Sequence, residues 1–175
     1  MELHGEAYLF NLSLLAITFA AVSVLVMLIR QTMGGRLANF DVYLITTYIA
    51  RGFVIAVAAI LPSLIADFGL PSTMFWPAAS GLAAVFFASV MATTQHQRST
   101  ITGGGLPRFL MFALTVHWIS VLLLVANAAV PPLQGVGLFK AALTISLAMI
   151  MWTFVRRVAS LVGDKPSEDW DPKRG

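Results

Sequence analysis

Five long apolar segments, each about as long as a bilayer crossing, limit what this chain can fold into. They cover approximately residues 7–29, 41–66, 72–93, 109–130 and 137–158. About 20 apolar helical residues cross a hydrocarbon core roughly 30 Å thick. Backbone polar groups in lipid must bond to one another, and these runs are too continuous for the alternating strands of a barrel. The sequence therefore predicts an all-α, polytopic membrane protein with five transmembrane helices.

The composition excludes a water-soluble globule. Hydrophobic residues make up 58% of the chain and charged residues 11%, and the mean hydropathy is +0.84. The first apolar segment is not typical of a signal peptide, because the preceding "MELHGE" is acidic and no cleavage site follows. We interpret that segment as a retained helix. The absence of cysteine excludes disulfides and cysteine-ligated metal but does not indicate a compartment.

The polar C-terminus is predicted to lie outside the membrane domain. We assign residues 1–162 to a single transmembrane domain and residues 163–175, "GDKPSEDWDPKRG", to a disordered cytoplasmic tail. The tail mixes charges of both signs with two prolines and cannot pack a core. An alternative interpretation is a docking peptide for a protein partner, with Trp170 as its anchor.

The distribution of basic residues predicts the orientation. Of the eleven lysines and arginines, nine fall in the first loop, the third loop and the C-terminal region: Arg30, Arg36, Arg98, Arg108, Arg156, Arg157, Lys165, Lys173 and Arg174. The opposite ends carry only Lys140. Short basic loops stay in the cytoplasm, so the N-terminus should be outside and the C-terminus cytoplasmic. Because the basic residues are split over three short segments, we expect no nucleic-acid partner.

Two loops resemble each other and suggest an internal repeat. Residues 30–40, "RQTMGGRLANF", and 98–109, "RSTITGGGLPRF", share Arg, Thr, a Gly-Gly pair, Leu and Phe. In register with these loops, Pro62 corresponds to Pro131. We therefore predict a duplicated helical hairpin, in which helices 2 and 3 repeat as helices 4 and 5 in parallel. Chance similarity between loops of biased composition is the alternative.

Arg51 is the most informative polar residue, because no other charge occurs between Asp41 and Asp67. Its Cα should lie about 15 Å into the second helix, near the bilayer centre, with the side chain directed back past Thr47. An arginine facing lipid at this depth costs at least about 2.5 kcal/mol. No carboxylate is available within the spans, so carbonyls, hydroxyls, water or a bound anion must satisfy the guanidinium.

His117 should lie at a depth close to that of Arg51, and in the proposed repeat it corresponds to Tyr48. The four residues Arg51, His117, Tyr48 and Thr47 are therefore the candidate lining of a cavity near the midplane. A neutral histidine bonded to a neighbouring helix is the structural alternative. We expect no cofactor and no metal site, because a haem would need a second deep histidine and His4 and His96 lie near helix ends.

These features favour a permeation or solute-binding protein over an enzyme. No nucleophile and base, paired carboxylates or metal set occurs within the spans, so no enzymatic activity is expected. The first expectation is a small anion channel or transporter, and the second is proton movement through His117. Five helices rarely enclose a pathway alone, so a homo-oligomer is expected in the lipid bilayer of a cell membrane, by preference a bacterial inner membrane. The competing class is an accessory or scaffold subunit.

The third predicted helix is also a candidate contact helix. Small residues recur at helical spacing in "AASGLAAVFFAS", at Ala79, Ser80, Ala83 and Ala84. Such residues allow close approach of helix backbones, either within the subunit or between subunits.

Overall fold

A computed structural model of the chain describes residues 5–32, 39–102 and 108–162. Within these ranges it contains five α-helices: α1 (Glu6–Thr32), α2 (Asn39–Asp67), α3 (Ser72–Thr102), α4 (Arg108–Ala129) and α5 (Val136–Val162). A short 3-10 helix, Pro131–Leu133, joins α4 to α5. Each α-helix is long and apolar enough to cross a membrane. The all-α prediction with five helices is confirmed for these ranges, and it supports a multi-pass membrane protein.

The helices form a four-helix bundle with one added helix. Consecutive helices pack against each other, and α5 returns to pack against α2, so that α2, α3, α4 and α5 close into a ring. Helix α1 lies outside this ring, mainly on α2 and to a lesser extent on α5. We call the end of the bundle where α1, α3 and α5 finish the basic end, because it carries Arg30, Arg108, Arg156 and Arg157. We call the other end of the bundle the opposite end.

Helices α1 and α2 approach closely at Gly52. A Cβ atom at this position would lie 3.2 Å from the Ala16 carbonyl oxygen and 3.3 Å from the Ala20 Cβ. Nearby, the Ser13 hydroxyl donates a hydrogen bond of 3.1 Å to the Ala56 carbonyl across the same interface. In a bilayer, where lipid tails compete equally for apolar side chains, small residues and interhelical hydrogen bonds hold helices together. This interface therefore fixes α2 against α1.

Helix α3 is a contact helix within the subunit. Its small residues Ala79, Ser80, Ala83 and Ala84 are all buried. Because they occur at helical spacing, they form one face against the neighbouring helices of the ring. The sequence left open whether this face contacts helices of the same subunit or of another subunit. Contacts within the subunit account for it.

Hydrogen bonds between side chains and distant helices join the elements at the opposite end. The Asn127 amide donates a bond of 2.7 Å to the Ser80 hydroxyl, and its oxygen accepts one of 2.9 Å from the Gly135 backbone amide. The hydroxyls of Tyr8 and Thr144 lie 2.6 Å apart and join α1 to α5. Asn127 is fully buried, so these bonds hold α3, α4 and the α4–α5 connection together in an environment without water.

The helix ends differ from the predicted spans. Helix α3 continues to Thr102, nine residues beyond the predicted end at Thr93. Helix α2 continues past Pro62 to Asp67, and Gly69 then reverses the chain with a φ of +71°, a conformation that glycine adopts without steric cost.

The predicted duplication receives no independent support. Pro62 lies inside α2, whereas Pro131 lies beyond the end of α4 in the 3-10 helix. The two Gly-Gly pairs of the compared loops and the predicted tail at residues 163–175 lie outside the described residues. The duplication therefore stays a prediction.

Substitution of Gly52 by alanine should destabilise the protein by about 1–3 kcal/mol, because the new methyl group meets the Ala16 backbone and forces α1 and α2 apart. Equilibrium unfolding in mixed micelles measures the change. Gly81→Ala is the matched control: it is also within a helix, but its Cβ would meet only the Ala128 Cβ at 4.0 Å. A Gly52→Ala protein as stable as Gly81→Ala would show that the interface yields easily.

Candidate functional site

A cavity lined by both polar and apolar groups lies between α2, α3, α4 and α5, in the half of the bundle toward the basic end. Its volume is about 40 Å³, which is room for about three water molecules. All four helices of the ring contribute to its wall, which consists of Tyr43, Leu44, Thr47, Tyr48, Arg51, Thr94, Gln95, Leu110, Ala113, Leu114 and Thr153. Three of the four predicted site residues, Arg51, Tyr48 and Thr47, therefore line one cavity.

Helix α2 supplies the most polar wall. Tyr43, Thr47 and Arg51 are spaced four residues apart, and Tyr48 lies beside this stripe. Arg51 is twelve residues from the start of α2, so its Cα is about 18 Å along the helix. The side chain leans toward the helix N-terminus. The guanidinium therefore enters the cavity from the side nearer the middle of the bundle and is directed toward the basic end.

The Arg51 guanidinium is partly exposed to the cavity, but its Nε is buried and has no hydrogen-bond partner among the described residues. Acidic side chains that the structure describes are also remote. Glu6 accepts a bond from Ser63, which is twelve residues further along α2, and Asp67 lies sixteen residues, or about 24 Å, beyond Arg51. No described carboxylate therefore neutralises this cation.

The hydroxyl groups around Arg51 differ in the hydrogen bonds that they donate to other residues. Thr47 and Thr153 donate to carbonyls of their own helices, and Tyr43 donates to the Thr94 carbonyl at 2.9 Å, which joins α2 to α3. In contrast, the Tyr48 hydroxyl is buried and interacts with the Thr153 hydroxyl, although it makes no hydrogen bond of good geometry among the described residues. The Arg51 Nε is therefore the charged donor beside this cavity that has no described partner.

Aromatic packing fixes the position of Tyr48. Its ring makes edge contacts with Phe19 of α1 at 6.5 Å and with Phe154 of α5 at 5.7 Å between centroids. Phe19 and Phe154 also pack edge to face at 5.2 Å. Each such ring pair adds about 0.5–1.5 kcal/mol beyond area burial. Three helices therefore hold the Tyr48 hydroxyl in place, next to the Thr153 hydroxyl of α5.

His117 does not line this cavity. It is 1% exposed, and its Nδ1 lies 2.8 Å from the Ala113 carbonyl. Because a carbonyl only accepts, Nδ1 carries the proton, and in a neutral ring Nε2 is left as an acceptor. Nε2 is buried and has no partner among the described residues. The Arg51 charge interacts electrostatically with the ring. His117 therefore lies behind the cavity wall, near Ala113, and its role in a pathway stays a prediction.

The sequence analysis missed four polar residues of the cavity wall: Tyr43, Thr94, Gln95 and Thr153. Tyr43 could have been found, because it lies four residues before Thr47 on the same helix face as Arg51. The other three lie on α3 and α5, and nothing in one sequence indicates that those helices pack against α2.

No protein-family model matches this chain, and comparisons with curated proteins and with solved structures also give no match. The chemistry of the cavity therefore has to be interpreted from its own residues.

A cysteine in place of Gln95 should report the charge of the cavity, because Gln95 lines it and the natural chain has no cysteine. We expect an anionic methanethiosulfonate to react about tenfold faster than a cationic one of similar size, since a fixed cation attracts anions. The rates are measured by mass spectrometry of protein in neutral detergent.

Adding Arg51→Ala should abolish the preference. Ser146→Cys, at a fully buried position, is the control and should not react. A preference that persists without Arg51 would show that another charge dominates the cavity.

Proposed function

We propose that this protein is an integral membrane anion-binding and permeation protein, in which Arg51 forms the anion site. The observation that supports this most is the half-buried Arg51 on the cavity wall, whose Nε has no described hydrogen-bond partner and whose charge no described carboxylate neutralises. Burying an unpaired donor costs about 1–3 kcal/mol, and more when the group is charged. A bound anion offsets this cost, because it neutralises the guanidinium and accepts hydrogen bonds from it.

The same arrangement disfavours a cation as the bound species. A cation site needs carboxylates or several convergent oxygens, whereas this wall carries a fixed positive charge and no acidic side chain. At about 40 Å³ the cavity is small. It matches a monatomic anion such as chloride, with or without a water molecule, better than an organic solute.

Passage across the membrane would require a further opening. Beyond Arg51, toward the opposite end, the bundle is filled by fully buried apolar side chains that include Ile55, Leu124 and Phe139. A single copy in this conformation thus presents a binding site reached from one side. We propose that transport proceeds by rearrangement of the ring or within a homo-oligomer, as expected for a bundle of this size.

The proposed orientation places the basic end in the cytoplasm, which follows from the positions of the lysines and arginines. The anion site would then open toward the cytoplasm. A bacterial inner membrane is the proposed location, and the C-terminal tail would be available there to a protein partner.

Proton movement through His117 is the second candidate function. It is supported by the buried Nε2, an acceptor without a partner among the described residues. A water molecule reaching this atom from the cavity would link the ring to Arg51 and Tyr48. An accessory or scaffold subunit is the competing class, in which these polar groups are structural.

Chloride should stabilise the purified protein against heat, because a ligand that binds only the folded state adds RT ln(1 + [L]/Kd) to its stability. We expect a rise in the unfolding temperature when chloride replaces gluconate at constant ionic strength. At 100 times the Kd the gain is about 2.7 kcal/mol. Arg51→Ala should remove the dependence. Arg156→Ala, which removes an equal charge from an exposed site, is the matched control and should retain it.

Flux measurements in liposomes separate the candidate functions. Chloride flux that is lost in Arg51→Ala supports anion passage, and proton flux that is lost in His117→Ala supports the second candidate. Chloride binding without flux would leave a solute-binding protein. If neither binding nor flux is found for the folded wild type, the scaffold class replaces the proposal.

A further inference from the structure

An exposed arginine on the outer surface of α4 and α5 is held by aromatic rings. The Arg156 guanidinium carbon lies 5.1 Å from the centroid of the Phe109 ring and 5.7 Å from that of Trp152. Phe112 makes an edge contact with Trp152 at 6.1 Å. We call Arg156, Phe109, Trp152 and Phe112 the α4–α5 clamp. The clamp is separate from the Arg51 cavity, because none of its residues lines that cavity.

The position of the clamp along the helices matches the lipid headgroup level. Phe109 is the second residue of α4, and Arg156 lies six residues, or about 9 Å, before the end of α5. Tryptophan is enriched at membrane interfaces, where its ring is partly in hydrocarbon and partly in water. Trp152 is 43% exposed and Phe112 58% exposed, so both rings lie on the outer surface of the bundle, where a membrane protein contacts lipid.

The clamp leaves the guanidinium able to bind an anion. Aromatic faces interact with the cation through its charge and do not use all of its N–H donors. Arginine binds phosphate oxygens with two parallel hydrogen bonds, which a lysine cannot reproduce. The occupant that combines a phosphate with apolar chains alongside Trp152 and Phe112 is a phospholipid.

The charges around the clamp favour an anionic headgroup over a zwitterionic one. Arg108, also exposed, begins α4 directly before Phe109. Glu6 and Asp67 lie at the opposite end, and Asp41, in the first turn of α2, is outnumbered at the basic end by Arg30, Arg108, Arg156 and Arg157. Clustered basic side chains near the membrane surface attract anionic lipids by about 1 kcal/mol each.

We propose that the α4–α5 clamp is a binding site for an anionic phospholipid, whose phosphate is bound by Arg156 and whose acyl chains lie along Trp152 and Phe112. The site holds a lipid at the basic end of the α4–α5 pair. It does not depend on the proposed anion site at Arg51.

Native mass spectrometry of the delipidated full-length protein tests the proposal. Phosphatidylglycerol is titrated against phosphatidylcholine with the same acyl chains. The wild type should bind phosphatidylglycerol more tightly, and Arg156→Ala should weaken that binding about tenfold, which corresponds to loss of one charge-assisted contact. Arg156→Lys should recover only part of the affinity, because the charge returns without the planar group.

Lys140→Ala is the matched control for Arg156→Ala. Lys140 also lies over an aromatic ring, that of Tyr8 at 5.0 Å, but it belongs to the opposite end of the bundle. Its loss should leave phosphatidylglycerol affinity within about twofold of the wild type. Equal losses in both variants, or equal affinity of the wild type for the two lipids, would overturn the proposal.

A second variant keeps the test decisive if Arg156→Ala does not fold. Trp152→Leu retains every charge but removes one ring of the clamp, and it should weaken phosphatidylglycerol binding severalfold. Unchanged phosphatidylglycerol affinity in folded Trp152→Leu would contradict the clamp. The chloride dependence of thermal stability, measured on the same proteins, should be normal, which distinguishes this site from that at Arg51.

Discussion

The structure is organised around a positive charge that the bundle buries in part without pairing it to a described carboxylate. An arginine in this position cannot face lipid without a cost of several kcal/mol, so four helices must close around it and leave a polar space. That requirement accounts for the ring of α2, α3, α4 and α5 and for the hydroxyl-rich wall on α2. Since the nearby threonines donate to their own helices, the Arg51 Nε is left without a described partner.

The two ends of the bundle are built with different chemistry. The opposite end is closed by direct hydrogen bonds, centred on the buried Asn127 with its partners Ser80 and Gly135. At the basic end, in contrast, the Arg51 Nε has no described hydrogen-bond partner. Arg156 contacts aromatic rings, which do not use all of its N–H donors. The two ends therefore differ in how far direct protein contacts satisfy their polar groups.

Hydropathy predicted the number and type of the helices because lipid imposes a length and an internally bonded backbone on every span. It did not predict that α3 extends to Thr102, since that polar last part lies beyond the apolar window. Arg51, Tyr48 and Thr47 could be grouped from the sequence because they lie within about one turn of one helix, and all three line the cavity. The position of His117 relative to the cavity depends on the rotation of α4. That helix is apolar around most of its circumference, so its sequence does not indicate which side faces inward.

The close contact at Gly52 has a further consequence for the residue next to it. Successive residues of a helix are rotated by about 100° about its axis. The contact that fixes the rotation of α2 at Gly52 therefore also fixes the direction in which the Arg51 side chain points. A Cβ at that point would lie only 3.2 Å from the Ala16 carbonyl oxygen, so the close contact requires the hydrogen of glycine to face α1. Helix α1, which contributes no residue to the cavity wall, therefore disfavours a rotation of α2 that would turn Arg51 out of the ring and toward lipid.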